Sequence, residues 1–268
     1  MEQIMAAMTN ANGLLQGKIS LITGAGSGIG RATAMAFAEQ GAKICLIDRD
    51  LDRLLEVKEE LLGIGAEVLA IEADVQDSFH LKQAIDKAGE WKNGLDIVFS
   101  NAGVVGFLTS IEQMPEEEWR RILDINLTGA FLTLKYSIPW MKAIGGSIIM
   151  NSSIHGSRVF NSYGMTAYAA SKSGMNALAK MAAAELSPNK IRVNLICPGA
   201  IDSHLNDNLI RSEVLSKVGV PVEYPEGKYP FGRGTPKQVA KLAVFLASDL
   251  SDYMTGSEIT IDGVRSLV

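Results

Sequence analysis

Short runs of β-branched and apolar residues recur along the first two thirds of the chain, at 18–23, 43–48, 67–72, 95–100, 146–151 and 190–196. Such short, continuously apolar runs read as strands covered on both faces. Between them lie stretches with apolar residues every three or four positions, at 28–40, 51–62, 78–90, 115–144 and 166–186, the spacing of helices with one buried stripe. Strand, crossover helix and strand, repeated this often, predict an α/β fold with a doubly wound sheet of parallel strands and helices on both faces. Ligands in such sheets bind beyond the carboxyl ends of the strands, so strand ends are where chemistry belongs.

The alternation breaks between 202 and 235, where Pro221, Pro225 and Pro230 surround a short helical pattern at 206–217. A helix at 236–247 and a strand at 258–262 then resume it. The break reads as a lid over the site of one domain spanning 17–268, preceded by a weakly ordered extension at 1–16. With 268 residues, 47% of them hydrophobic, the chain suits one large core. Its net charge of −5 and pI near 5.3 argue against nucleic-acid partners, which require a basic surface. Cys45 and Cys197 sit in apolar runs and read as buried, reduced thiols. His80, His155 and His204 have no companion ligands at metal-binding spacing, so no metal is expected. No basic-then-apolar leader and no membrane-length apolar run is seen, which predicts a cytoplasmic protein without a membrane partner.

After the first strand comes Thr23-Gly24-Ala25-Gly26-Ser27-Gly28-Ile29-Gly30, followed at once by a helical pattern. A turn without side chains lets the backbone approach a pyrophosphate, and the helix start offers N–H groups and a favourable dipole. The spacing is G-x-x-x-G-x-G and not G-x-G-x-x-G, so the glycines alone are ambiguous with a flexible loop. Asp48, 18 residues beyond Gly30 at the end of the second strand, removes much of that ambiguity, because an acid there can accept from the adenosine ribose hydroxyls. Its carboxylate repels the 2′-phosphate that distinguishes NADP, so NAD is expected. Arg49 could stack on adenine or attract a phosphate, which keeps NADP open. Asp74-Val75 and Asn101-Ala102-Gly103 end the next two strands, where they suit the same ligand or an ordinary turn.

Tyr168 and Lys172 share one face of an Ala-rich helical stretch at i and i+4. A cation beside a phenol stabilises the phenolate and can make tyrosine a usable proton acceptor. Tyr224 and Lys228 have the same spacing, but Pro225 and Gly227 between them disfavour a helix.

Taken with Thr23-Gly24-x3-Gly28-Ile29-Gly30, Ser100-Asn101-Ala102-Gly103, Asn126, Ser153 and Pro198-Gly199, the Tyr168-x3-Lys172 pair resembles the short-chain dehydrogenase/reductase family over residues 17–263. The resemblance implies a single-domain Rossmann-like sheet of about seven strands and hydride transfer between nicotinamide and a secondary alcohol or ketone. It also implies a homotetramer with helices near 115–144 and Tyr168 to Leu186 at one interface. Tyr168 would be the general acid/base. Lys172 would lower its pKa and bind the nicotinamide ribose. Ser153 would hydrogen-bond the substrate oxygen, and Asn126 would help hold a water linking Lys172 to solvent. Pro198, Gly199, Ile201 and Ser203 would pass the nicotinamide, while Gly24, Ser27, Gly28, Ile29, Gly30, Asp48, Arg49, Asp74, Val75, Asn101, Ala102 and Gly103 would hold the rest of the cofactor.

Three departures stand out: Ser100 where many members have Asn, Ser203 where Thr is frequent, and a separation of 15 positions from Ser153 to Tyr168, a long loop. Ser152 competes with Ser153, because adjacent strand residues face opposite ways. His155 and Tyr163 are candidate substrate contacts or plain loop residues. Val104, Phe107, Phe160, Met165, Tyr224, Tyr229 and Phe231 are candidate pocket walls, which suits a partly apolar substrate. The run from Phe231 to Pro236 resembles sugar-oxidising members and keeps a polyol open. An NADPH-linked ketoreductase and a non-catalytic NAD sensor are the alternatives. The intact Asn126, Ser153, Tyr168 and Lys172 set favours the enzyme.

Overall fold

The computed structural model describes residues 13–160, 162–203, 209–218 and 231–267. Seven strands, β1 (Ile19–Thr23), β2 (Lys43–Asp48), β3 (Val68–Glu72), β4 (Ile97–Ser100), β5 (Gly146–Asn151), β6 (Ile191–Pro198) and β7 (Glu258–Ile261), form one sheet in the order 3-2-1-4-5-6-7. Every neighbouring pair is parallel. Among the described residues, seven α-helices cover it: α1 (Gly28–Glu39), α2 (Leu51–Gly63), α3 (Ser78–Lys92), α4 (Glu116–Leu123), α5 (Gly129–Met141), α6 (Thr166–Leu186) and α7 (Pro236–Ala247).

Alternation along the strands builds two cores. Leu21, Val98, Ile148, Met150, Val193 and Leu195 point to one face and pack with α3, α5 and α6. Ile22, Leu46, Ile97, Phe99, Ile149 and Ile196 point to the other and pack with α1, α2 and α7. Each fully buried side chain of this size stabilises by about 1.5–3 kcal/mol, which makes both faces essential. Strand order reverses at β1 and β4, and the crevice at their carboxyl ends is the expected binding position.

The stretch expected as one helix at 115–144 is divided. Pro115 caps α4, and a π-helical turn at Asp124–Thr128 carries the chain into α5, with the Gly129 N–H donating to the Asp124 carbonyl. One inserted residue of this kind has no periodic signature in sequence. The short helix expected at 206–217 is a 3₁₀ turn confined to Glu213–Lys217 among the described residues. Of the extension assigned to 1–16, the last residues join the domain: Leu15 is fully buried, and its N–H donates to the Gln40 carbonyl at 2.9 Å. Residues 1–12, His204, Tyr224, Lys228 and Tyr229 lie outside the described residues, as does much of the expected lid. No described helix is long and apolar enough to cross a membrane.

Candidate active site

The crevice is a cleft of about 1240 Å³. Its nucleotide end is built from backbone. Gly24 and Gly28 adopt φ of +65° and +51°, which suits glycine. A Cβ on Gly30 would overlap the Gly24 carbonyl oxygen, and one on Gly24 would come within 2.8 Å of Ala102 Cα. Asn101 clamps this turn from the end of β4. Its Nδ2 donates to the carbonyls of Thr23 at 3.1 Å and Gly24 at 3.0 Å, and its N–H donates to Thr23 Oγ1 at 3.1 Å. Asn151 Nδ2 in turn donates to Asn101 Oδ1 at 2.8 Å.

Asp48 accepts from the Gly26 N–H at 2.8 Å and from the Asp50 N–H at 3.1 Å, which fixes the carboxylate beside the turn and leaves further lone pairs. Asp74 accepts from the Gln76 N–H at 3.0 Å. Val75 lies under α5, where a Cβ on Gly129 would come within 2.8 Å of its Cγ2. Of the residues expected to touch a cofactor, all line the cleft except Gly30, which is buried beneath the turn and acts by permitting its close packing. The set fits a dinucleotide. The first N–H groups of α1 have no partner within the helix, the turn has no side chain to obstruct a phosphate, and Asn151 Oδ1 is buried at the cleft wall without a hydrogen bond.

At the other end, α6 holds Tyr168 and Lys172 one turn apart, 7% and 3% exposed. Lys172 Nζ lies 5.7 Å from the Tyr168 ring centroid and donates to the Asn151 carbonyl at 2.7 Å. Burial lowers the Lys172 ammonium from 10.5 to about 8. Burial also raises the Tyr168 phenol above its ordinary value, opposed by a hydrogen bond with Ser153. Burial is thus the largest influence on both groups, and it disfavours the charged form of each.

Ser153, not Ser152, faces the phenol. Ser152 Oγ turns away to Asn176 Oδ1 at 2.5 Å. Ser153 begins a 3₁₀ turn at Ile154–Gly156 and accepts from the His155 N–H at 3.2 Å. The His155 ring lies edge-on to Tyr168, with centroids 6.1 Å apart, and Tyr163 lines the same wall. Asn126 is fully buried in the π-helical turn and does not line the cleft. Its amide is committed to Val104, with N–H to Oδ1 at 2.8 Å and Nδ2 to carbonyl at 2.9 Å, and to Ser171 Oγ at 3.0 Å. These bonds brace Val104 and Ser171 against the π-helical turn.

Val105, Leu108, Met165, Leu209 and Leu215 enclose Tyr168 in an apolar cluster. Leu108 is tied to the 209–212 segment by a parallel bridge to Arg211. Val104, Phe107 and Met165 are walls as expected, whereas Phe160 and Phe231 are 67% and 82% exposed and do not line the cleft. Val159 turns inward in place of its neighbour. Sequence reasoning missed Arg211, Arg233 and Arg265, which also line the cleft. Buried Arg265 is delivered by a tight turn in which Asp262 accepts from the N–H groups of Val264 at 3.2 Å and Ser266 at 2.7 Å, with Val264 at a φ of +69°. The Asp262-Gly263 pair was its one legible signal.

The sequence pattern of the family described as enoyl-(acyl carrier protein) reductase matches residues 24–263. A short-chain type dehydrogenase/reductase from Mycobacterium marinum superimposes with a TM-score of 0.83 and 38% identity, over 94% of this chain and 96% of that one. The chain is a short-chain dehydrogenase/reductase. A cyclohexanol dehydrogenase of Acinetobacter sp. is 34% identical over 265 residues, 98% of each chain. A carveol dehydrogenase from Mycobacterium avium, solved in complex with NAD, superimposes with a TM-score of 0.84 at 29% identity over 96% of this chain and all of its own. As a member of the family, this short-chain dehydrogenase/reductase is an oxidoreductase of alcohols or ketones that works with a nicotinamide cofactor.

Proposed function

We propose that this protein is an NAD-linked dehydrogenase of secondary alcohols carried on a ring, with Tyr168 as general acid/base. The observation that carries this reading is the buried Tyr168–Ser153 hydrogen bond with Lys172 one turn away, at the end of a cleft that begins at the glycine turn. Ser153 orients the substrate oxygen, Tyr168 takes the hydroxyl proton, and Lys172 holds the nicotinamide ribose. Asn126 positions Val104 and Ser171 behind them. When bound, a nicotinamide would supply the chemistry of hydride acceptance or donation. The apolar cluster around Tyr168 favours a hydrocarbon ring, and cyclohexanol and carveol both carry their hydroxyl on a six-membered ring. The test follows NADH absorbance across cyclic alcohols, open-chain secondary alcohols, polyols and hydroxysteroids. Turnover of polyols alone would overturn the ring-alcohol reading.

Arg211, Arg233 and Arg265 on the cleft wall favour a second reading, a ring alcohol bearing a carboxylate. Hydroxycyclohexanecarboxylates in the same panel decide between them through KM.

Preference for NAD is supported by Asp48 beside the turn and by Arg53, whose charge is already matched by Asp50 at 3.1 Å. In Asp48→Ala, NAD affinity should fall by about one to two orders of magnitude while NADP affinity rises. Tighter binding of NADP than NAD by the unaltered protein would instead favour the NADPH-linked ketoreductase. Assembly into a homotetramer is part of this proposal, supported by Phe131 on α5 and Met181 on α6, 44% and 61% exposed.

A further inference from the structure

Tyr168 is buried, yet a general acid must regain its proton from water at every turnover. A chain of polar atoms runs outward from it. Ser153, 5% exposed, hydrogen-bonds the phenol. Its Oγ lies 3.3 Å from His155 Nδ1, and His155 Nε2 lies 2.9 Å from Ser162 Oγ. Burial falls along this series, since Tyr168 and Ser153 are buried whereas His155 and Ser162 are half-buried. The 3.3 Å link is long, as catalytic hydrogen bonds often are before substrate tightens them.

Resting on the oxidoreductase reading above, we propose that His155 is a proton-relay residue, which through Ser153 connects Tyr168 to Ser162 and solvent. Imidazole suits this task because one ring nitrogen donates while the other accepts. With Nδ1 protonated, His155 donates to Ser153 and Ser162 donates to His155 Nε2, while Ser153 donates to Tyr168 in the empty site, to the substrate oxygen once a ketone is bound, and to the phenolate after that oxygen is protonated. When Tyr168 gives its proton to the ketone oxygen, Ser153 passes its hydroxyl proton to the phenolate and takes one from His155 Nδ1. Ser162 passes its proton to His155 Nε2 and takes one from water. Each group loses one proton and gains one, so one proton moves from solvent to Tyr168. His155 is left in its other neutral tautomer, and its half-buried ring exchanges with solvent between turnovers. Alcohol oxidation runs the same chain outward. Ser153 keeps its place by accepting from the His155 main-chain N–H at 3.2 Å, which a side-chain change does not remove.

His155→Ala and His155→Gln separate relay from packing, because glutamine can hydrogen-bond Ser153 but does not carry a proton through. Both should lower kcat about ten- to a hundredfold, less than loss of the acid itself, with KM within about threefold of the unaltered protein. Added imidazole should restore at least about tenfold of the loss in His155→Ala and none in His155→Gln. A Gln variant with unaltered kcat, an Ala variant that imidazole does not rescue, or an effect on KM alone would overturn the relay. An activity-free measurement keeps this apart from the oxidoreductase reading. In isotope-labelled histidine NMR, His155 should be the Nδ1–H tautomer, and Ser153→Ala should shift it. An Nε2–H tautomer indifferent to Ser153→Ala overturns the chain, whereas absence of turnover across the whole substrate panel counts against the oxidoreductase reading.

Discussion

The two ends of the cleft are built by opposite means. At the nucleotide end, glycines remove side chains, and Asn101 and Asp48 satisfy the backbone donors and acceptors of the turn. At the chemical end, a phenol and an ammonium are buried against their preference, and both are displaced from their ordinary pKa values. The first region gains stability from the arrangement that recognises its ligand. The second loses stability to the arrangement that does chemistry, as strained titratable groups at active sites commonly do.

Tyr168→Phe should produce the largest effect, a fall in turnover of about 10²–10⁴-fold with cofactor affinity kept, read by steady-state kinetics beside fluorescence titration of NADH. Near-normal turnover would erase the distinction between the two ends. Gly30→Ala attacks the other end, where a Cβ meets the Gly24 carbonyl. It should cost about 3 kcal/mol in denaturant unfolding and remove cofactor binding together with stability. Retained affinity in a stable variant would show that the tight turn is not what recognises the nucleotide.

Lys172→Met sharpens the contrast through pH. Below pH 8 the ammonium is charged in both folded and unfolded chains, and its burial counts fully against the fold. Between about 8 and 10.5 the unfolded chain binds a proton that the folded chain does not, so stability of the unaltered protein rises with pH. The variant should be more stable by about 1–2 kcal/mol at pH 7, after allowance for the lost bond to Asn151, and because the unaltered protein gains about 3 kcal/mol between the two pKa values, the order should reverse by pH 11. Urea unfolding at several pH values measures it, and an advantage of the variant that grows with pH would contradict the assigned direction. The smallest effect is a control away from both ends of the cleft. Gly63 ends α2 with open space where a Cβ would go, so Gly63→Ala should add about 0.5 kcal/mol without touching activity.

The sheet was legible because β1 to β6 are apolar runs bounded by turns, and β2 and β5 fall at the expected residues. Thr166–Leu186 and the Tyr168–Lys172 face were likewise fixed by local periodicity. What could not be read depends on contacts between distant segments. The choice of Ser153 over Ser152 follows from the meeting of β5 with α6, where Asn176 captures Ser152. The π-helical turn around Asn126 follows from bonds to Val104. Arg265 enters the cleft through a turn that no periodic pattern encodes.

The sheet order has a consequence for how the protein acquires its affinity during folding. β1 and β2 are consecutive in the chain and paired in the sheet, but the glycine turn that follows β1 leans on Asn101, which arrives 78 residues after Thr23. Until β4 inserts beside β1, the turn has no amide to hold its carbonyls. Closing so long a loop is slow, and contacts across it are formed late. A chain caught with only its first two strands paired would hold the glycines and Asp48 yet grip no dinucleotide. Cofactor capture would then report completion of the central sheet during refolding.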